Sequence, residues 1–207
     1  MGAKRKKEAQ ELIAKRDFAG LEAWVQEGSG ALRTLFALTF EDDELSRWRA
    51  IEATGRAAKV LGGRRTEHVR DFLRRLLWLM NDESGGLGWH APEVIGEVLF
   101  HLPFLIEEYG VLLPHFTSEE PFERGSHEAL ARIAPLAKDM ISSNEGLFQQ
   151  ALLSSDAYIR VYSLVALGAA GIKPRVSLAG DENQVLLYDF TTGELVVLQV
   201  LALDLPA

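Results

Sequence analysis

Arg47-Trp-Arg-Ala-Ile-Glu-Ala-Thr-Gly55, Gly88-Trp-His-Ala-Pro-Glu-Val-Ile-Gly96, Ser126-His-Glu-Ala-Leu-Ala-Arg-Ile-Ala134 and Arg160-Val-Tyr-Ser-Leu-Val-Ala-Leu-Gly168 align residue for residue, with starts 41, 38 and 34 positions apart. A period near forty residues is the signature of stacked helix pairs, each unable to bury its apolar face alone. Every copy carries a small residue five places before its last position (Ala50, Ala91, Ala129, Ser163) and ends on Gly or Ala. Helices that pass close to one another need that pattern.

Working outward, Glu8 to Gln26 has Leu12, Ile13, Phe18, Leu21, Trp24 and Val25 in a helical rhythm that bends near Asp17, so residues 1–30 read as a basic tail and a capping helix. Residues 31–171 read as the repeats. Ala31 to Phe40 pairs with Leu45 to Leu61, which Gly62-Gly63 stops, and the acidic Glu41 to Glu44 suits a helix N-terminus. Thr66 to Met80 is amphipathic, and Asn81 to Gly88 is a glycine-rich turn into the helix that begins near Pro92. Beyond Gly171 and Pro174 the grammar changes. Val176 to Ala179, Gln184 to Phe190 and Leu195 to Val200 are strand-like and separated by Gly-Asp-Glu-Asn and Thr-Thr-Gly-Glu turns. Residues 172–207 are therefore expected to form a three-stranded antiparallel meander on the end of the repeats.

The 207 residues include no cysteine, which excludes disulfides, thiolate catalysis and cysteine-based metal sites. No apolar run approaches the roughly 18 to 20 residues of a membrane span. The N-terminal Met-Gly-Ala-Lys-Arg-Lys-Lys lacks the apolar segment of a secretory signal, so a cytoplasmic location is expected. Net charge is −8, divided unevenly: residues 1–80 carry 16 Lys and Arg against 12 Asp and Glu, residues 81–207 carry 6 against 18. Such a chain orients on charged partners.

The aligned segments resemble HEAT repeats, particularly the short version in phycobilin-lyase-like proteins, whose second helix reads roughly Asp-x-x-Val-Arg-x-x-Ala-x-x-Ala-Leu-Gly. Asp43, Arg47 and Gly55 match it, as do Asp156, Ile159, Arg160, Ala166, Leu167 and Gly168. In the middle copies Gly88 and Ser126 replace the Arg. The resemblance covers residues 31–171 and implies a right-handed α-solenoid of about four helix pairs whose second helices line a concave, ligand-binding side. It implies nothing specific about function.

On that reading Trp48, Glu52, Trp89, His90, Glu93 and Glu97 line the groove, suited to a peptide or a basic protein surface, unless the two Trp are core between repeats. His90, Glu93, Glu97 and His101 share one helical stripe, and with His127-Glu128 they are the candidate metal ligands of an alternative, enzymatic reading; otherwise they are a polar stripe. His127-Glu128 also resembles the di-iron pairs of deoxyhypusine hydroxylase. The equivalent positions here hold Trp48-Arg49, Trp89-His90 and Val161-Tyr162, so the repeated pairs are missing. Arg64, Arg65, Arg70, Arg74 and Arg75 form the candidate nucleic-acid face, interrupted by Glu67 and Asp71. The expectation is a non-catalytic scaffold or adaptor that binds a protein or peptide, with no cofactor, no resident metal and no membrane contact.

Overall fold

The computed structural model describes residues 2–28, 30–81 and 88–200. The chain is mainly helical, 69% helix with eleven α-helices and a small two-stranded antiparallel sheet among the described residues. The helices are α1 (Gly2–Ala14), α2 (Phe18–Gln26), α3 (Ala31–Phe36), α4 (Glu44–Gly62), α5 (Thr66–Met80), α6 (Ala91–His101), α7 (Ile106–Tyr109), α8 (Glu123–Ile133), α9 (Lys138–Ser143), α10 (Glu145–Ala151) and α11 (Ala157–Ala169). The strands are β1 (Gln184–Asp189) and β2 (Glu194–Gln199), paired with Gln184 opposite Gln199 and Asp189 opposite Glu194.

The four aligned segments fall on α4, α6, α8 and α11, and these helices pack side by side in chain order. Their small residues make the contact. Ala50, Ala91, Ala129 and Ser163 are wholly buried. A Cβ on Gly96 would lie 2.6 Å from the Ala129 Cα, and one on Gly55 would lie 2.8 Å from the Glu97 carbonyl oxygen. Backbones therefore touch where the copies align. The remaining helices pack outside this row: α2 and α3 on α4, α5 on both α4 and α6, and α10 on α11.

Local signals set the helix starts. The Asp17 carboxylate accepts the Gly20 N–H at 2.9 Å and begins α2 where the sequence rhythm bends. Asp43 caps α4 through Ser46 at 2.8 Å, and Asp156 caps α11 through Tyr158 at 2.8 Å. Asp156 also takes Arg124 of α8 at 2.6 Å, tying two neighbouring helices. Arg160 does not join such a ladder; it holds Asp181 at 2.7 Å and the Ser154 carbonyl at 2.7 Å, fixing the segment that leaves the helices.

Four expectations are corrected. The basic stretch Lys4 to Lys7 is not a tail but part of α1: the Arg5 guanidinium lies 4.3 Å above the Trp24 ring and donates to the Trp24 carbonyl, and Lys6 reaches Glu41 at 3.2 Å. Val176 to Ala179 forms no strand; Val176 and Leu178 pack singly against the core, leaving two strands rather than three. The sheet touches the end helix α11 but is not confined to the end of the row. The Leu186 N–H donates to the Tyr158 hydroxyl of α11 at 3.1 Å, while Tyr188 and the turn after it lie on α4, because Arg16 and Arg49 bind that turn. Finally, most of the stripe read as open is covered, as described next. Of the glycine-rich turn read at Asn81 to Gly88, residues 82–87 lie outside the described residues.

Candidate functional site

Two polar centres lie along the central helices. The first is built on Glu52, which sits in the middle of α4 and is 1% exposed. Its carboxylate receives Arg16 in bidentate fashion at 2.8 and 3.1 Å, Arg56 at 3.0 Å and the Tyr188 hydroxyl at 2.6 Å. Burial pushes the Glu52 pKa up, but the bonds from Arg16, Tyr188 and Arg56 outweigh it and hold the group below its ordinary value. Tyr188 is pushed far up by its own burial and by the carboxylate it faces.

Arg16 occupies left-handed backbone at φ 48°, rare for a side chain of its size. From there it also donates to the carbonyls of Phe190 at 3.0 Å and Thr192 at 2.7 Å. Gly193, at φ 75°, lies against the Arg16 side chain where a Cβ would collide, so this turn position requires glycine twice over. Arg49 completes the clamp, donating to the Gly193 carbonyl at 3.1 Å and to Glu194 at 2.7 Å.

The second centre lies between α6 and α8. Glu97, 1% exposed, takes Arg132 at 2.6 Å, and His101 Nε2 stands 3.1 Å from its other oxygen without hydrogen-bond alignment. Glu93 folds over Gly125, where a Cβ would lie 2.5 Å from its carboxylate, and His90 Nδ1 is 3.4 Å from it. Glu128, 6% exposed, has an oxygen with no partner. Its pKa stands well above the ordinary value, first through burial and then through the Glu93 and Glu97 carboxylates, only partly offset by Arg132. Burial likewise lowers His127, whose Nδ1–H donates to the Glu123 carbonyl at 2.9 Å, leaving Nε2 buried and unpartnered. Burial, and after it the Glu128 and Glu93 carboxyls, raise Tyr162.

Glu128 therefore has a measurable signature. With its folded pKa above the unfolded one, the unfolded chain releases this proton first as pH rises, so stability declines from the ordinary Glu value near 4.5 upward. The Glu128→Gln amide has no such proton and turns N–H donors toward the acidic neighbours. It is expected to stabilise the protein by about 1 kcal/mol at pH 7, the net worth of a buried hydrogen bond. Urea midpoints at pH 7 and pH 4 check this: the gain should shrink at the lower pH.

Of the six residues read as groove-lining, Glu52 and Glu97 are consumed by internal arginines, and Trp48 is covered by Tyr188, whose ring stacks on it at 5.9 Å. Trp89 remains 62% exposed, beside the half-buried pair of His90 and Glu93. The candidate metal stripe divides into two His–Glu pairs, and among the described residues no group of three His, Asp or Glu comes together in a way that could hold a metal ion. On the arginine face, Arg70 pairs with Glu67 and Glu108, and Arg74 with Asp71 and Glu67. Local pairing there answers much of the positive charge a phosphate backbone would need. A separate cleft of about 340 Å³ opens between α1 and the start of α4, lined by Gln10, Ile13, Leu38, Glu41, Asp42 and Asp43; Lys6 and Gln10 already engage Glu41.

A protein of Archaeoglobus fulgidus described as an uncharacterized protein is 30% identical over 164 residues, spanning 77% of this chain and 85% of the relative. The chain belongs to that protein's family. No family model and no solved structure matches it. Among the described residues no helix is long and apolar enough to cross a membrane.

Arg16, Arg132, Tyr188 and Phe190, which organise both centres, were not among the residues the sequence singled out. One signal was available: Tyr188 and Phe190 stand two apart at a strand end, so they project to one side.

Proposed function

We propose that this chain is a non-catalytic, HEAT-like helical-repeat scaffold that binds a protein partner. The observation that carries the reading is Trp89, a large aromatic left at the surface at the head of α6, with His90 and Glu93 beside it. Exposed Trp is the residue type most enriched at the energetic centre of protein interfaces. The half-buried Glu93 carboxylate beside Trp89 suits a basic group on that partner. The row of four helices in chain order is the arrangement that the resemblance to HEAT repeats implies, and a right-handed solenoid follows from the same reading.

The test is quantitative affinity capture with the intact chain and its Trp89→Ala variant, read by abundance of each retained protein. A partner recognised through this surface should fall by about tenfold or more, corresponding to a hot-spot loss. Thermal unfolding of the two proteins should coincide, since the substitution is at the surface. Equal recovery of every retained protein overturns the reading.

A further inference from the structure

We propose that the face formed by α4, α6 and α8 is a docking surface for an extended segment carrying a Tyr-x-Phe pair, filled in this structure by Tyr188 and Phe190 of the chain's own hairpin. This goes beyond the reading based on Trp89, which makes none of the contacts involved.

Two sockets define the surface. In the first, the Tyr188 ring stacks on Trp48 with 5° between planes, and its hydroxyl donates to Glu52 at 2.6 Å. In the second, Phe190 meets Trp48 edge-on at 6.3 Å and lies 3.8 Å beneath the Arg132 guanidinium, whose distance to the Phe100 ring is 3.5 Å. The other contacts at the turn are the main-chain carbonyls of Phe190, Thr192 and Gly193, taken by Arg16 and Arg49, and one exposed carboxylate, Glu194, which Arg49 reaches at 2.7 Å. Any extended peptide offers such carbonyls. The aromatic pair is what specifies the occupant, as pockets for alternate side chains do in strand-type recognition.

The hairpin is attached in a way that permits exchange. Among its strand residues only Val185 and Tyr188 are buried, and a two-stranded hairpin is marginal by itself. The sockets keep their charges paired without it. Glu52 retains Arg16 at 2.8 Å and Arg56 at 3.0 Å, and Glu97 retains Arg132 at 2.6 Å. Of the charges at the face, Arg49 alone loses its carboxylate, Glu194, when the hairpin departs; it keeps the Ala14 carbonyl at 2.8 Å and lies on the side that opens to water, so no ion is left both buried and unpaired, the usual obstacle to opening a polar interface. It bares Trp48 and one side of Arg132 for an incoming aromatic segment, which must compete against a tethered occupant at high effective concentration.

The experiment uses the full chain with Tyr188→Ala and Phe190→Ala, and as probe a fluorescent synthetic peptide of residues 184–194, followed by anisotropy. Saturable binding is expected, at least about tenfold tighter than to the unaltered chain, whose sockets are filled. The same peptide with both aromatics replaced by Ala should not bind. In parallel, hydrogen exchange on the unaltered chain should show β1 and β2 amides exchanging at least about tenfold faster than those of α6 and α8, through an opening confined to the hairpin. A folded double variant that ignores the peptide, or equal binding by both chains, overturns the proposal. If the double variant does not fold, strands that exchange no faster than α6 and α8 overturn it as well. Neither readout involves Trp89, so failure here and failure of the capture experiment are separate results.

Discussion

Glu52→Ala is expected to lower the unfolding free energy at pH 7 by about 3–5 kcal/mol, the cost of breaking a buried ion pair from one side. The size follows from what is left behind. Arg16 and Arg56 lose their shared carboxylate in a site the hairpin shields from water, and the Tyr188 hydroxyl loses its acceptor. The urea midpoint should fall with the slope little changed, since the surface exposed on unfolding is nearly the same. In the unaltered protein the contribution of Glu52 also has a definite pH dependence. Its folded pKa lies below its ordinary value near 4.5, so the stabilisation is complete above that value and is lost as pH falls through the folded one. The alanine variant should lack this acid-sensitive portion. A loss under about 1 kcal/mol, the range of exposed ion pairs, would mean that water reaches Glu52 beneath the hairpin.

The helical row was legible because its determinants are local and periodic. Ala50, Ala91, Ala129 and Ser163 recur at one position of each copy, and the contacts they make are the backbone approaches that a small side chain permits. Asp17, Asp43 and Asp156 mark helix starts by bonds to residues two or three positions on. What covers the row was not legible. The bonds that hold the hairpin to Arg16 and α4 join residues 136 to 176 apart in the chain, and no local pattern encodes such a separation. Glu52 and Glu97 look like solvent-facing carboxylates on helices; they are buried because Arg16 and Arg132 arrive from other elements to receive them. Val176 and Leu178 alternate as strand residues do, yet each serves to pin the chain to the core. Alternation shows which side is buried and cannot show whether a neighbouring strand is present.

Arg132→Met is the second substitution expected to cost about 3–5 kcal/mol, for the opposite reason: it removes the cation and leaves the carboxylate. Met fills much of the space of the Arg stem and can still lie on Phe100, so the lost packing is small beside the lost charge. Glu97 would then keep only the poorly aligned His101, with Glu93 and the buried Glu128 as acidic neighbours. Repulsion between the Glu97 and Glu93 carboxylates in a poorly hydrated site is far stronger than at a surface, the protonated Glu128 supplies no compensating charge, and no shift of the backbone-tight α6 and α8 can relieve it. Thermal and urea unfolding measure the loss. The combined Arg132→Met and Glu97→Met variant identifies its cause, since it removes both charges at once. It should recover more than half of the lost stability, because an apolar pair often replaces a buried ion pair at little cost. If the combined variant is no better than Arg132→Met alone, packing of the guanidinium between Phe100 and Phe190, and not neutralisation of Glu97, is what Arg132 contributes.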